Sequence, residues 1–187
     1  MKPLAIAAKP ERISYRIDHR DEIVFVSESW APFAAANGAP GLQDGVVGRP
    51  LWDFVRDLTT CHLYADLIAR VRSGRTAAFP YRCDAPERRR FMLMTMRPNG
   101  KRGVEFDSVT LRTEGRARIA LVGGRSDTGQ LLRICSWCKQ VNVHGRWAEI
   151  EVAVEQLGVF ADSATPEVTH AICESCEALL LTEIGSR

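Results

Sequence analysis

Four of the six cysteines fall into two CxxC turns, Cys135-Ser136-Trp137-Cys138 and Cys173-Glu174-Ser175-Cys176. A two-residue spacer lets both sulfurs of a tight turn point at one place, and two such turns supply a tetrahedral shell for one ion. Four thiolates suit zinc or an iron centre and exclude calcium and magnesium. Zinc is the expected occupant, because it needs no electronic tuning and commonly fills closed sites of four cysteines. His170, three residues before Cys173, is an alternative ligand in place of one sulfur. Its expected role is a hydrogen bond to a thiolate, since the four sulfurs already complete the shell. The other chemistry open to these residues is redox: either pair can oxidise to a disulfide and release the metal, as a thiol switch or an oxidoreductase would require.

Something must hold the two turns together. The insert between Cys138 and Cys173 exceeds the roughly 15 to 20 residues of common zinc ribbons, which predicts structure within it. Ile150, Ala153, Val154 and Leu157 fall on one helical stripe, with Gly158 as a stop. Thr165-Pro166 marks a turn or helix start, and Glu177-Ala178-Leu179-Leu180-Leu181 reads as a closing helix. The expectation is a small helical unit over 133–187 that burial alone cannot stabilise. Its metal would then contribute folding free energy, on the order of 10 kcal/mol in zinc peptides, and chelation would unfold this C-terminal part.

Composition bounds the function. With 187 residues, 45% of them hydrophobic, the chain has material for one core and an appendage. A net charge of +2 gives no argument for nucleic acid or an anionic membrane. No apolar run approaches the ~18 residues of a membrane span, and the apolar patch Leu4 to Ala8 is shorter than a signal peptide's ~7 to 15 residue core. Cytoplasmic residence is expected, which keeps thiols reduced for a metal. Cys61 and Cys83 are left over and should pack as small apolar residues. The histidines form no HExxH and none stands beside an obvious nucleophile, so no catalytic constellation is evident.

Nearer the N-terminus, Ile13, Tyr15 and Ile17 alternate with polar residues as in a half-buried strand, and Ile23 to Val26 returns. Ser27 or Ser29 can cap a helix carrying Trp30, Phe33, Ala34 and Asn37, which Gly38 ends. Pro50 opens a short helical turn, and Thr59 or Thr60 is the expected cap of a longer helix bearing Leu63, Leu67 and Val71. Three strands follow: Phe79 to Cys83, Phe91 to Met96, and Val104 to Leu111 after an Asn99-Gly100 turn. A phase shift between Phe106 and Val109 suggests a bulge. Two strands, helices and three strands predict an α+β domain, a five-stranded antiparallel sheet with helices on one face.

The pattern from Ile13 to Leu111, with Phe25-Val26-Ser27-Glu28-Ser29-Trp30 and Val47-Gly48-Arg49-Pro50-Leu51-Trp52-Asp53-Phe54, resembles the PAS sensor family. It is similar in particular to a bacterial type in which a PAS-like domain precedes I-C-S-W-C-K, W-x-E-x-E and T-H-x-I-C-x-x-C, here Ile134 to Lys139, Trp147 to Glu151 and Thr169 to Cys176. The resemblance implies an N-terminal segment 1–12, a sensor domain 13–122, a linker 123–132 and the metal unit 133–187. It also implies signalling: the domain senses a small ligand, redox state or partner and passes on a shape change. With no phosphate-binding loop, kinase motifs or long heptad helix, the output must be a partner protein or the metal-tied segment.

Three readings remain open. His62, beside Cys61, could ligate haem. Met92, Met94 and Met96 alternate with Phe91 and Leu93, so both sheet faces are apolar. The face away from the helices would need cover from the N-terminal segment, the metal unit or a second copy of the chain, making a homodimer. The run Glu87-Arg88-Arg89-Arg90 reads as a solvated hairpin end.

Overall fold

The structure is a computed structural model that describes residues 11–37, 39, 42, 45–55, 57–85, 87–116, 131–157 and 167–185. The alternation at Ile13, Tyr15 and Ile17 forms β1 (Arg12–Ile17), and β2 (Ile23–Val26) pairs back on it. Helix α1 (Trp30–Ala36) and a 3-10 turn (Leu51–Asp53) lead to α2 (Leu58–Arg72). β3 (Ala77–Arg82), β4 (Arg88–Asn99) and β5 (Gly103–Gly115) complete a five-stranded antiparallel sheet in the order β2-β1-β5-β4-β3. The mixed α+β architecture with helices between the second and third strands is as expected.

One face of the sheet carries the core. Ile17, Phe79, Met94, Met96, Val104 and Phe106 pack against Leu63, Leu67, Ile68 and Val71 of α2, while Phe33 of α1 covers Ile13 and Met92. Apolar residues at i, i+4, i+5 and i+8 give α2 its inward stripe, and that burial holds it. Its cap is Asp57, not Thr59 or Thr60: the Asp57 carboxylate accepts from the Thr60 amide at 2.8 Å and the Thr60 hydroxyl at 2.7 Å. Asp57→Ala should therefore cost about 1 kcal/mol in chemical denaturation, the typical worth of an N-cap. Ser29 does sit at the N-cap of α1, but its hydroxyl donates to the Arg12 carbonyl instead.

The opposite face is partly shielded by arginine side chains. The Arg112 guanidinium lies 4.0 Å from the Phe91 ring centre and Arg16 lies 4.5 Å from that of Phe25. Asp107 takes a two-pronged hydrogen bond from Arg12, both contacts 2.6 Å. The stems of these arginines shield apolar surface that the strand pattern leaves bare. The irregularity in β5 is also shifted. Its register with β1 is unbroken from Val109 to Val104, and the bulge lies where Phe91 and Met92 face Arg112 and Thr110, leaving Leu111 unpaired. Asp107 and Ser108 are both buried, and that mimics a change of phase in the sequence.

The C-terminal unit is not simply helical. β6 (Leu131–Cys135), β7 (Val141–Val143), β8 (Arg146–Ala148) and β9 (Glu167–Ala171) form a second sheet in the order β8-β7-β6-β9, flanked by α3 (Ile150–Leu157) and α4 (Glu174–Gly185). β7 and β8 make a hairpin whose turn places His144 and Gly145 at φ of 49° and 87°, and the parallel pairing of β6 with β9 brings the two ends of the insert together. β6 starts inside the stretch expected as linker. Gly158 and Thr165-Pro166 lie outside the described residues. Among the described residues no helix is long and apolar enough to cross a membrane.

This second unit closes the exposed edge of the first sheet. β3 is an end strand, and unpaired edge groups invite wrong pairing. Its Arg82 amide donates to the Trp137 carbonyl at 2.8 Å, and its Ala78 amide donates to the Glu183 carboxylate at 3.2 Å. Between them stands Pro80, which has no amide to donate.

Candidate metal centre

The parallel pair β6 and β9 ends in two adjacent turns, and this is what brings distant cysteines together. Cys135 closes β6, and Cys173 and Cys176 stand at the start of α4. In the first turn the Lys139 amide donates back to the Cys135 carbonyl at 3.0 Å, the Cys135 amide donates to the Gln140 carbonyl at 2.8 Å, and Lys139 adopts a left-handed φ of 62°. The turns are tied to each other as well: the Ser136 amide donates to the Ala171 carbonyl at 2.8 Å, and the Cys173 amide to the Cys135 sulfur at 3.4 Å.

The four sulfurs of Cys135, Cys138, Cys173 and Cys176 all lie within 4.8 Å of one another, so they could hold a metal ion. The Cys138 and Cys173 sulfurs are 3.7 Å apart. A tetrahedral site with metal–sulfur bonds of about 2.3 Å has sulfur–sulfur edges of about 3.8 Å, so the donor set fits a tetrahedral thiolate-binding ion. Its electrostatics call for a cation. Hydrogen bonds from Cys138 and Cys176 pull the Cys135 thiol far below its ordinary value, against the opposing effect of burial. Those same contacts leave Cys138 pushed up to about 12 and Cys176 raised further. One thiolate forms at the expense of its neighbours; four together need a positive ion among them.

His170 is not part of this group. It sits on β9 with its side chain exposed, and among the described residues no hydrogen bond joins its imidazole to a cysteine sulfur. The backbone amide of Cys173, not the imidazole, donates to Cys135. His62 lies outside the buried stripe of α2. Tyr15, Phe106, Tyr64, Trp137 and Phe79 instead fill the interior with stacked and tilted ring pairs. Burial there pushes the Tyr64 phenol up to about 12. Cys61 and Cys83 are half-buried and free; burial raises the Cys83 thiol.

Trp137 is the residue that joins the metal turn to the body. It is only 3% exposed and lies 5.3 Å from Tyr64 and 5.6 Å from Phe79, ring centre to ring centre. Cys135, Trp137, Cys173 and Leu180 share one buried cluster with Phe79, Phe106 and the inward face of α2. The cysteine site is therefore built into the wall of the main core.

A charged junction, missed in the sequence, braces the same seam. Arg82 donates to both oxygens of Glu149, at 2.8 and 2.7 Å, and also to Asp84. Glu149 and Glu151 thus owe their W-x-E-x-E spacing to a match with arginines on β3 and β4, since Arg89 and Arg116 reach Glu151. The 87–90 run is a solvated hairpin end only at Glu87 and Arg88, which are exposed; Arg89 is half-buried and Arg90 is buried. Arg90 is 2% exposed, lies 5.4 Å from the Phe33 ring centre and donates to Asn37. A helical stripe analysis scores only apolar residues, so glutamates off the stripe carry no signal until their partners are known.

Burial disfavours the Glu151 carboxylate, yet hydrogen bonds from its own backbone amide and Arg89 and the charges of Arg89 and Arg116 hold it below the usual range. A folded value lower than the unfolded one stabilises the protein above the unfolded pKa of about 4.3, and that contribution fades as pH falls through and below it. Glu151→Gln should flatten the acid limb of a stability-versus-pH curve measured by thermal melting between pH 7 and 3.

No family model matches this sequence, and a search of curated proteins returns no significant match.

Proposed function

We propose that the chain is a signalling protein in which a PAS-like sensory domain is joined to a structural zinc centre of Cys135, Cys138, Cys173 and Cys176, and that it acts through ligand or partner binding. The observation that carries the metal half is the convergence of four sulfurs within 4.8 Å from two turns far apart in sequence. Zinc is preferred to iron because it fills closed four-thiolate sites without redox demands. The sensory half is supported by the resemblance over Ile13 to Leu111 and by the order of two strands, helices and three strands in an antiparallel sheet. A shape change in the sensor core would reach the metal turn through Trp137, and the surface of the C-terminal unit would present it to a partner.

Elemental analysis with an absorption spectrum of the purified protein tests this reading. One zinc per chain and no visible band are expected; a haem, flavin or iron chromophore would displace it. The second reading, a thiol redox switch or oxidoreductase, is favoured by the same crowding of sulfurs. It requires mild peroxide to eject the metal with disulfide formation and a reductant to restore it. Zinc retained through peroxide treatment would exclude that mechanism.

A further inference from the structure

A cavity of about 300 Å³ lies where the metal turn meets the body. Phe54, Val55 and Tyr64 line it from the body, and Trp137, Lys139 and His170 line it from the C-terminal unit. Three of the four indoles in the chain have hydrogen-bond acceptors: Trp30 donates to the Leu42 carbonyl, Trp52 to Asp21 and Trp147 to Glu174. Trp137 is the exception. Its Nε1–H is shielded from solvent and without a partner among the described residues. A buried donor left unpaired is costly, and native proteins supply it with an acceptor. Two further donors stand in the same lining. The Lys139 ammonium gives one hydrogen to the Ser136 carbonyl at 2.6 Å and has two remaining, and the His170 imidazole is exposed. Asp57, the acid in the lining, is occupied by the Thr60 amide and hydroxyl through Oδ1.

We propose that this cavity binds a small aromatic carboxylate, whose oxygens accept from the Trp137 indole, Lys139 and His170 and whose ring lies against Phe54, Val55 and Tyr64. The three donors come from the C-terminal unit, while the body supplies Phe54, Val55, Tyr64 and Tyr81 together with Asp57 and Thr60, which are hydrogen-bonded to each other; a few convergent donors beside apolar side chains match an acid with an apolar body. The inference gives the proposed sensory reading its ligand class, and it rests on that reading for biological purpose only. Ser136, Trp137, Lys139 and His170 of the lining belong to the C-terminal unit, so occupancy and metal retention are linked: the acid slows loss of the ion, and loss of the ion weakens binding of the acid.

The test is a titration of the full-length, metal-loaded protein, labelled with nitrogen-15, with benzoate and phenylacetate, following the four indole N–H resonances. Benzyl alcohol is the uncharged control, and metal content is measured on the same samples. Trp137→Phe assigns the resonance; should that variant fail to fold, Phe substitutions of Trp30, Trp52 and Trp147 assign it by elimination. The Trp137 resonance should move saturably with at least one of the two acids and not with the alcohol. His170→Gln should weaken that binding roughly tenfold, the size of one charge-assisted contact, with metal content unchanged. Absence of a saturable shift with either acid overturns the site, and does so independently of the zinc reading when one zinc per chain is found. An equal response to benzyl alcohol overturns the carboxylate class, and an unaltered affinity in His170→Gln overturns the assigned donor wall. Equal affinity for the acid with and without the metal would overturn the linkage.

Discussion

Chelating the proposed zinc should melt the N-terminal body along with the C-terminal unit. Two of the four cysteines, Cys135 and Cys173, are buried in the same cluster as Phe79, Phe106 and Leu67, so an ion bound by them would hold part of the principal core in place. Structural zinc contributes on the order of 10 kcal/mol in model peptides, against roughly 5 to 15 kcal/mol of total stability for an ordinary domain. Removal therefore takes away most of what keeps the fold closed. The check is a thermal melt followed by near-ultraviolet dichroism, with and without a strong chelator and again after zinc is returned. Loss of one cooperative transition reporting on both Trp137 and the body is expected. A body that still melts at its original temperature after the metal has gone would refute this account.

Trp137→Ala is the second large effect, expected to cost about 3 to 5 kcal/mol, the range for truncating a buried aromatic residue. The indole touches Tyr64 on α2 and Phe79 on β3, so the void would open between helix, sheet and metal turn together, where no single element can move to fill it. Urea titration should show a lower midpoint at an unchanged slope, since the surface exposed on unfolding hardly differs. Metal retention should fall with it, because the turn bearing Cys135 and Cys138 loses its anchor. Trp137→Phe, which keeps a ring in the gap, should recover most of the loss. An alanine variant as stable as the parent would show that the indole is not a structural anchor.

The sequence makes some parts of this architecture plain and hides others for identifiable reasons. Alternation at Ile13, Tyr15 and Ile17 and the stripe of Leu63, Leu67 and Val71 are local signals, and the corresponding strands and helix stand where they should. The four cysteines were legible because a CxxC turn encodes its own geometry. The β7–β8 hairpin was harder: three-residue strands are too short for a period to register, and the turn uses His144 with positive φ, a conformation more often signalled by Asn or Gly. The cap of α2 was misplaced because Thr59, Thr60 and Asp57 are all able cappers, and only the backbone decides among them. Arg82, Arg90 and Glu149 could not be found at all from the sequence. Their burial depends on partners tens of residues away, and single charged residues read as surface until those partners are placed.

The sealing of β3 also decides how the two units can be handled. Ala78 and Arg82 give their amides to groups that arrive only with the C-terminal unit. A protease that clipped the chain between β5 and β6 and let that unit drift off would strip the strand of both acceptors and uncover Phe79 beside them. The remnant would be an adhesive ribbon, prone to stack with its own kind through main-chain pairing, slowed only by the gap at Pro80. Neither unit is then complete without the other, and the two are best produced and handled as one piece.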